Sequence, residues 1–161
     1  EADPHTNVRS YARAVGNEAL LWIWSQVLWA LQSAGQIDLS AVLEDGTKVR
    51  ANANQLQEVI LNLILNACQA MGERGGKLIL SAVPVEGDSQ VELKVEDTGP
   101  GIPANKLLKI FDPFYTTKSY GTGLGLFVSQ RIIKGHGGTI DVTSTEGHGT
   151  CFTIRLPAWK G

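Results

Sequence analysis

Glycine is concentrated in one part of this sequence, and that concentration limits the folds that the chain can adopt. Ten of the 18 glycines lie between Gly99 and Gly149, while the other eight are spread over the rest of the 161 residues. Glycine is favoured where the backbone needs special dihedral angles or must approach a ligand closely. The second half of the chain is therefore predicted to contain tight turns, a closely bound ligand, or both.

Length, composition and charge indicate one ordinary globular domain. Apolar residues make up 43% of the chain and charged residues 19%, which argues against disorder. The net charge of −2 argues against a nucleic-acid surface. The longest apolar run, Ala19 to Trp24, is far shorter than the roughly 20 residues of a membrane span, and no signal-peptide pattern opens the chain. With only two cysteines, we expect a cytoplasmic protein without membrane contact by this domain.

Hydrophobic periodicity and turn residues predict about six strands and three main helices, an α+β domain whose sheet is covered by helices on one face. Residues 1–17 are predicted to be a lead-in and residues 18–161 the domain itself. The predicted helices are Glu18 to Ala34, Gln55 to Met71 and Leu124 to Lys134, with a shorter one over Pro103 to Phe111. The predicted strands are Ile37 to Leu43, Thr47 to Arg50, Leu78 to Val83, Val91 to Glu96, Thr139 to Ser144 and Thr150 to Leu156, the first two joined by an Asp45-Gly46 hairpin turn.

Two asparagines stand out on the helix that starts at Gln55. Asn62 and Asn66 are four residues apart, so they share a helix face. Asparagine is a mediocre helix former, and a face that only meets water would use Lys, Glu or Gln. The pair is either a solvated polar stripe or a pair of amide oxygens presented to a hard cation or a phosphate group.

A carboxylate and two glycines follow the predicted strand that ends near Glu96. In Asp97-Thr-Gly-Pro-Gly101, the residue types alone are typical of a tight turn. They also suit a site where a flat ring lies against bare backbone, because a carboxylate accepts a hydrogen bond from an exocyclic amine and so selects adenine over guanine. Both interpretations remain open at this motif alone.

Three glycines precede the last predicted helix. Gly121, Gly123 and Gly125 would let several backbone N–H groups point at one anion, at the end of a helix whose dipole favours negative charge. Lys118 stands three residues earlier and could pair with phosphate. The sequence is neither a G-x-x-x-x-G-K-[ST] loop nor G-x-G-x-x-G, so a flexible hinge is the alternative.

These motifs in this order resemble the GHKL ATP-binding superfamily and, more narrowly, the catalytic and ATP-binding domain of a two-component sensor histidine kinase. The resemblance runs from about Glu18 to Pro157. It rests on N-x-x-x-N on a helix, D-x-G-x-G after a strand, F-x-P-F, G-x-G-x-G before a helix, and a final strand. The matching stretches are Asn62 to Ala67, Asp97 to Ile102, Phe111 to Lys118, Gly121 to Leu126 and Gly149 to Pro157.

The resemblance implies the Bergerat fold, a two-layer α/β sandwich with a mixed sheet covered by three main helices on one face. It implies ATP and Mg2+ as ligands. Asp97 would bind the adenine amino group, and Gly99 and Gly101 would shape the adenine pocket. Ile102 would also contact the nucleotide, and Thr150 would support the pocket from the neighbouring strand.

The same resemblance implies a phosphate end of the site with three catalytic residues. Asn66 would hold Mg2+, Asn62 would lie beside the phosphates, and Lys118 would reach the β- or γ-phosphate. A mobile lid would cover about 103–121, with Phe111 and Phe114 as its apolar anchors. The nucleotide contacts implied around the lid and the following helix are Phe114, Tyr115, Lys118, Gly121, Thr122, Gly123, Leu124, Gly125 and Leu126.

Two departures bear on mechanism. ATP-hydrolysing members of the superfamily carry Glu at the position of Asn62, so hydrolysis is expected to be slow here. His5-Thr6-Asn7 does not match the family's phosphoacceptor box, so the acceptor histidine is expected on a dimerisation and histidine-phosphotransfer domain of the same protein, with a response regulator downstream.

The alternative functions are an ATP-gated binding module, such as an anti-sigma-type regulator or a degenerate kinase, and a gyrase-like or mismatch-repair-like ATPase.

Overall fold

The computed structural model describes residues 37–43, 49, 51–85, 87, 89–116 and 123–158. Five strands and three helices follow one another in this part of the chain. In order they are β1 (Ile37–Leu43), α1 (Ala53–Met71), a 3-10 turn (Gly72–Arg74), β2 (Gly76–Pro84), β3 (Gln90–Asp97), α2 (Ala104–Leu107), α3 (Gly125–Gly135), β4 (Thr139–Thr145) and β5 (Gly149–Pro157).

The strands form one mixed sheet in the order β1-β2-β3-β5-β4. β1 runs parallel to β2, and the other three pairings are antiparallel. The α1 helix separates β1 from β2, as a parallel pairing requires a long crossover. The predicted α+β architecture with a mixed sheet is therefore confirmed.

The core lies between one face of the sheet and the helices α1 and α3. Strand residues alternate between the two faces, so every second residue along the middle of β2, β3 and β5 is buried. On α1, apolar residues recur at helical spacing and cover the same core. The largest side chains that are fully buried are Leu56, Ile60, Leu63, Ile64, Leu78, Leu80, Leu93, Ile133, Ile154 and Leu156. Each contributes about 1.5–3 kcal/mol through burial.

Helix ends differ by a few residues from the predicted ones. The α1 helix begins at Ala53 because the Asn52 side chain caps it, accepting a hydrogen bond of 3.0 Å from the Gln55 N–H. The α3 helix includes Gly135, one residue past the predicted end at Lys134, and the left-handed residue that follows is Gly137, with a φ of 74°.

The predicted helix over Pro103 to Phe111 is wrong in length. α2 spans only four residues, Ala104–Leu107, and Pro103 caps it instead of being its first residue. Beyond it, the N–H of Lys109 bonds to the carbonyl of Lys106, and the N–H of Asp112 bonds to the carbonyl of Lys109. These bonds span three residues, so the chain continues in tight turns rather than as an α-helix.

Several predictions fall on residues outside the described part of the chain. They are the lead-in 1–17, the helix Glu18 to Ala34, the Asp45-Gly46 turn, and the segment 117–122 with Lys118, Gly121 and Thr122. Of the predicted strand Thr47 to Arg50, the structure describes only Val49, which forms an antiparallel bridge with Ala158. None of the described helices is long and apolar enough to cross a membrane.

Candidate functional site

The candidate site is centred on a buried carboxylate at the end of β3. Asp97 continues the alternation that buries every second residue of this strand, so its side chain points toward the helices. Asp97 is only 6% exposed, and its cross-strand neighbour on β5, Thr150, is 7% exposed. One carboxylate oxygen, Oδ1, accepts a hydrogen bond of 2.8 Å from the Gly99 N–H. The sheet therefore holds a carboxylate in a fixed orientation on its core side.

Burial sets the protonation behaviour of this carboxylate. Desolvation raises the pKa of Asp97 above its ordinary value of 3.8, and the nearby charge of Glu96 adds to that effect. The backbone N–H groups of Gly99 and Thr150 act in the opposite direction, since they favour the charged form. Burial and the charge of Asp97 also raise the pKa of the Cys68 thiol to about 11. Cys68 is thus an uncharged core residue at neutral pH.

The loop after Asp97 lies directly against the turn between β4 and β5. A Cβ on Gly149 would collide with the carbonyl oxygen of Asp97, and a Cβ on Gly101 would collide with the carbonyl oxygen of Thr145. Both glycines have positive φ angles, 114° for Gly149 and 74° for Gly101. The close approach of two backbones explains why glycine is required at these two positions.

Two further hydrogen bonds join the same loop and turn. The Gly147 N–H donates to the carbonyl of Pro100 at 2.7 Å, and the Ile102 N–H donates to Ser144 Oγ at 2.7 Å. Ser144 Oγ also donates to the carbonyl of Gly149 at 2.8 Å and lies 2.9 Å from Thr150 Oγ1. The β4–β5 turn is therefore the support on which the Asp97 loop rests.

The second part of the site lies between α1 and the start of α3. Asn62 Nδ2 donates to Ser129 Oγ at 3.3 Å, and Ser129 is buried. A Cβ on Gly125 would lie 2.6 Å from Asn62 Oδ1, so only glycine allows α3 to approach the asparagine this closely. Asn66 lies one turn further along the same helix and is half-buried.

A cavity of about 240 Å³ opens at this helix junction. It is lined by Glu58, Asn62, Leu124, Gly125, Val128 and Ser129. The first-turn N–H groups of a helix have no partner within the helix and carry partial positive charge. The start of α3, at Gly125, therefore offers an anion-binding end beside the Asn62 amide.

Phe111 and Phe114, the predicted anchors of the lid, behave differently. Phe111 packs against the core and meets Phe152 edge-on, with ring centroids 6.3 Å apart. Phe114 is 74% exposed, so the prediction that it anchors the segment is wrong for this structure. Its φ of 67° is the one positive value at a non-glycine residue in the described ranges, and its N–H donates to the carbonyl of Gly123 at 2.9 Å. That backbone contact fixes Phe114 in an orientation that directs its ring away from the core.

The predicted residues thus fall into groups. One group surrounds the Asp97 carboxylate: Asp97, Gly99, Gly101, Ile102 and Thr150. A second lies at the junction of α1 and α3: Asn62, Leu124 and Gly125. Asn66 lies nearby on α1, Leu126 and Tyr115 pack partly against the core, and Gly123 contacts the Phe114 backbone. Lys118, Gly121 and Thr122 are outside the described residues.

Sequence reasoning missed Ser144, Gly147 and Ser129. The run Thr143-Ser-Thr-Glu-Gly-His-Gly149 has the composition of a hairpin turn, which signals its shape but not that it contacts residues 100–102. Ser129 is an isolated serine inside an apolar helix. Its spacing gives no sign of Asn62, which lies 67 residues earlier in the chain.

Comparison with known proteins identifies an ATPase family and histidine kinases as similar to this chain. Residues 51–160 match the family described as histidine kinase-, DNA gyrase B- and HSP90-like ATPase. The sensor histidine kinase ZraS of Escherichia coli is 46% identical over 110 residues, which cover 68% of this chain and 23% of that protein. The signal transduction histidine-protein kinase AtoS of Escherichia coli is 42% identical over 136 residues, covering 82% of this chain and 22% of AtoS. The chain thus spans about a quarter of the length of these curated relatives.

A solved structure of the catalytic domain of histidine kinase ThkA has the same fold. Its TM-score is 0.73 at 30% identity, over 94% of this chain and 92% of that one. A structure of ThkA in complex with the response regulator protein TrrA matches with a TM-score of 0.71 at 27% identity, over 90% of this chain and 41% of that one.

Proposed function

Because the chain belongs to the family of histidine kinase-, DNA gyrase B- and HSP90-like ATPases, we propose that it is the ATP-binding catalytic domain of a sensor histidine kinase. In this proposal residues 18–161 bind ATP, and the γ-phosphate passes to a histidine of a dimerisation and histidine-phosphotransfer domain of the same protein. A response regulator acts downstream. The likeness to ThkA, which has been solved with its response regulator, supports that last partner. A cytoplasmic location of this domain is part of the same proposal.

The observation that carries the nucleotide part of the proposal is the buried carboxylate of Asp97. Its burial disfavours the charged form, while its orientation is held by the Gly99 N–H. Because burial costs this carboxylate its hydrogen bonds to water, a ligand amine that donates to it would replace one of them. The exocyclic amine of adenine has that chemistry. Gly99 and Gly101 are assigned to shaping the adenine pocket, Ile102 to its border, and Thr150 to its support from β5.

The phosphate end of the site is assigned to the junction of α1 and α3. The N-terminal N–H groups of α3 offer donors and a favourable dipole to the phosphates. Asn62 lies beside them in the 240 Å³ cavity. The remaining contacts are assigned to Phe114, Tyr115, Lys118, Gly121, Thr122, Gly123, Leu124, Gly125 and Leu126, with Lys118 as the cation that neutralises phosphate charge.

Mg2+ fits the donor chemistry of α1. An amide oxygen is a hard ligand, and Mg2+ in phosphate sites takes one or two protein ligands and otherwise binds phosphate oxygens and water. Asn66, half-buried on the face that also carries Asn62, is the residue assigned to hold it. When bound, the ion supplies charge neutralisation at the phosphates.

The chemistry of Asn62 argues against transfer of the γ-phosphate to water. An amide is not a base at neutral pH, and the Asn62 Nδ2 already donates to Ser129. The second hydrogen on Nδ2 can donate to a phosphate oxygen, but the amide cannot activate water. Phosphoryl transfer then depends mainly on positioning and on charge neutralisation by Lys118 and the α3 amides.

The decisive experiment incubates the chain with γ-labelled ATP, Mg2+ and a dimerisation domain from the same gene. Label on that domain that is lost in acid and kept in alkali would support the proposal. At limiting ATP, Asp97→Asn should strongly reduce labelling, while Asp141→Asn, which removes an exposed carboxylate from β4, should not. Nucleotide binding without label transfer would instead make the chain an ATP-gated binding module, and release of free phosphate without labelled protein would make it an ATPase.

A further inference from the structure

We propose that Ser144 is a positioning residue of the nucleotide site, holding the loop after Asp97 against the β4–β5 turn through its hydroxyl group. This inference rests on the proposed function, since it concerns the same site. It assigns a role to a residue whose sequence context indicates only a strand end. The role depends on the hydrogen bonds of one oxygen atom.

The hydroxyl of Ser144 uses its full hydrogen-bonding capacity. A serine hydroxyl has one proton to donate and two lone pairs to accept with. Its proton goes to the carbonyl of Gly149 at 2.8 Å, and the Ile102 N–H donates to it at 2.7 Å. The contact of 2.9 Å with Thr150 then has the Thr150 hydroxyl as donor. Three separate backbone and side-chain groups are thus fixed by one atom.

Each of these three groups belongs to a different part of the site. Gly149 abuts the backbone of Asp97 so closely that a Cβ would not fit. Thr150 is the cross-strand neighbour of Asp97, and Ile102 is the first residue beyond the Asp97–Gly101 loop. The Ser144 hydroxyl therefore ties Ile102, at the far end of this loop, to the two β5 residues that pack against and pair with Asp97.

These hydrogen bonds also fix the orientation of the Thr150 O–H group. Because its proton points to Ser144, its lone pairs remain as acceptors next to the Asp97 carboxylate. A site with acceptors from both residues favours a ligand edge that carries donors, as an amine does. Without the Ser144 oxygen, the Thr150 hydroxyl could rotate and the Ile102 N–H would lose its partner.

The test compares Ser144→Ala with Ser144→Thr, which keeps a hydroxyl. Thr143→Ala is the matched control, because Thr143 is exposed and alternation places it on the opposite face of β4. Two quantities are measured on the whole chain: amide hydrogen exchange at Ile102 without nucleotide, and ADP affinity by calorimetry in the presence of a chelator. The melting temperature of each variant is recorded alongside.

Ser144→Ala is expected to speed exchange at Ile102 about tenfold and to weaken ADP binding about tenfold, as loss of one well-made hydrogen bond implies. Ser144→Thr and Thr143→Ala should leave both quantities within about twofold of the unmodified chain. Unchanged ADP affinity in Ser144→Ala would overturn the proposal. So would a uniform acceleration of exchange over all strands, which would make Ser144 a general stability residue, or a failure of Ser144→Thr to restore binding.

The same experiment separates this inference from the proposed function. If the unmodified chain binds no ADP, the proposed function fails and the nucleotide role of Ser144 fails with it. If the unmodified chain binds ADP and Ser144→Ala binds it equally well, only the role of Ser144 is refuted.

Discussion

Replacing Asp97 by Asn should greatly weaken nucleotide binding while leaving the fold intact. The carboxylate Oδ1 accepts a hydrogen bond from the Gly99 N–H at 2.8 Å. An asparagine that keeps this bond places its oxygen at the Oδ1 position, so its NH2 group takes the position of the second carboxylate oxygen. A donor would then face the adenine amine, which is also a donor. Rotating the amide restores an acceptor to the ligand but turns the NH2 group toward the Gly99 N–H.

Either orientation leaves one buried polar group without a partner. The cost of such a group is about 1–3 kcal/mol. Since about 1.4 kcal/mol corresponds to a tenfold change in affinity, ADP should bind about fivefold to about 150-fold more weakly. The carboxylate is also a charged acceptor, and hydrogen bonds to charged groups are the stronger kind. The upper part of that range is therefore expected.

Asp97→Asn should not lower the thermal stability of the nucleotide-free chain, although it weakens ADP binding. Burial raises the pKa of Asp97 above 3.8, so the folded chain holds a proton on this group more readily than the unfolded chain does. Between 3.8 and the raised value, the unfolded state binds fewer protons, so the contribution of Asp97 to stability falls as pH rises. Asparagine carries no charge to desolvate. Asp97→Asn should thus melt at the same temperature as the unmodified chain or higher at neutral pH, and this decline with pH should disappear.

The assay is calorimetric titration with ADP together with thermal unfolding across pH. Asp141→Asn serves as the control, because it removes the same charge from an exposed position on β4. Its ADP affinity should equal that of the unmodified chain. Unchanged affinity in Asp97→Asn would remove this residue from the adenine site. A loss of affinity that accompanies a lower melting temperature would refute the reasoning from desolvation.

Three other predictions concern separate parts of the site. Asn66→Ala should weaken ADP binding mainly in the presence of Mg2+, and an equal loss in chelator would contradict a metal role. Amides of residues 104–112 and 114–116, in the described part of the predicted lid, should exchange faster than those of the strands without nucleotide and slow when an ATP analogue is added; equal protection throughout would refute a mobile lid. Gly101→Ala should lower both the melting temperature and ADP affinity, because its Cβ would strike the carbonyl of Thr145. Gly147→Ala is the control: Gly147 has a similar positive φ but open space around it, so its replacement should cost only about 1 kcal/mol of stability. Equal effects of the two substitutions would contradict the close-approach argument.

The local pattern of the chain determined most of the fold. Alternation along β3 and β5 and helical spacing along α1 identify the buried residues, because each depends only on the period of one element. The same period predicts that Asn62 and Asn66 share a face of α1. Glycine content between Gly99 and Gly149 correctly predicts special backbone angles, since five of the nine glycines that the structure describes there have positive φ.

Only the tertiary structure decided how these elements meet. Ser144 reaches the Ile102 N–H, 42 residues away, because the strand order brings the β4–β5 turn beside the loop after β3. Ser129 reaches Asn62 because α3 packs on α1. Phe114 is exposed because its backbone is held by Gly123, although its residue type suggests an anchor. Periodicity fixes which face of an element is buried, whereas a contact between elements depends on their register and packing distance, which no local spacing contains.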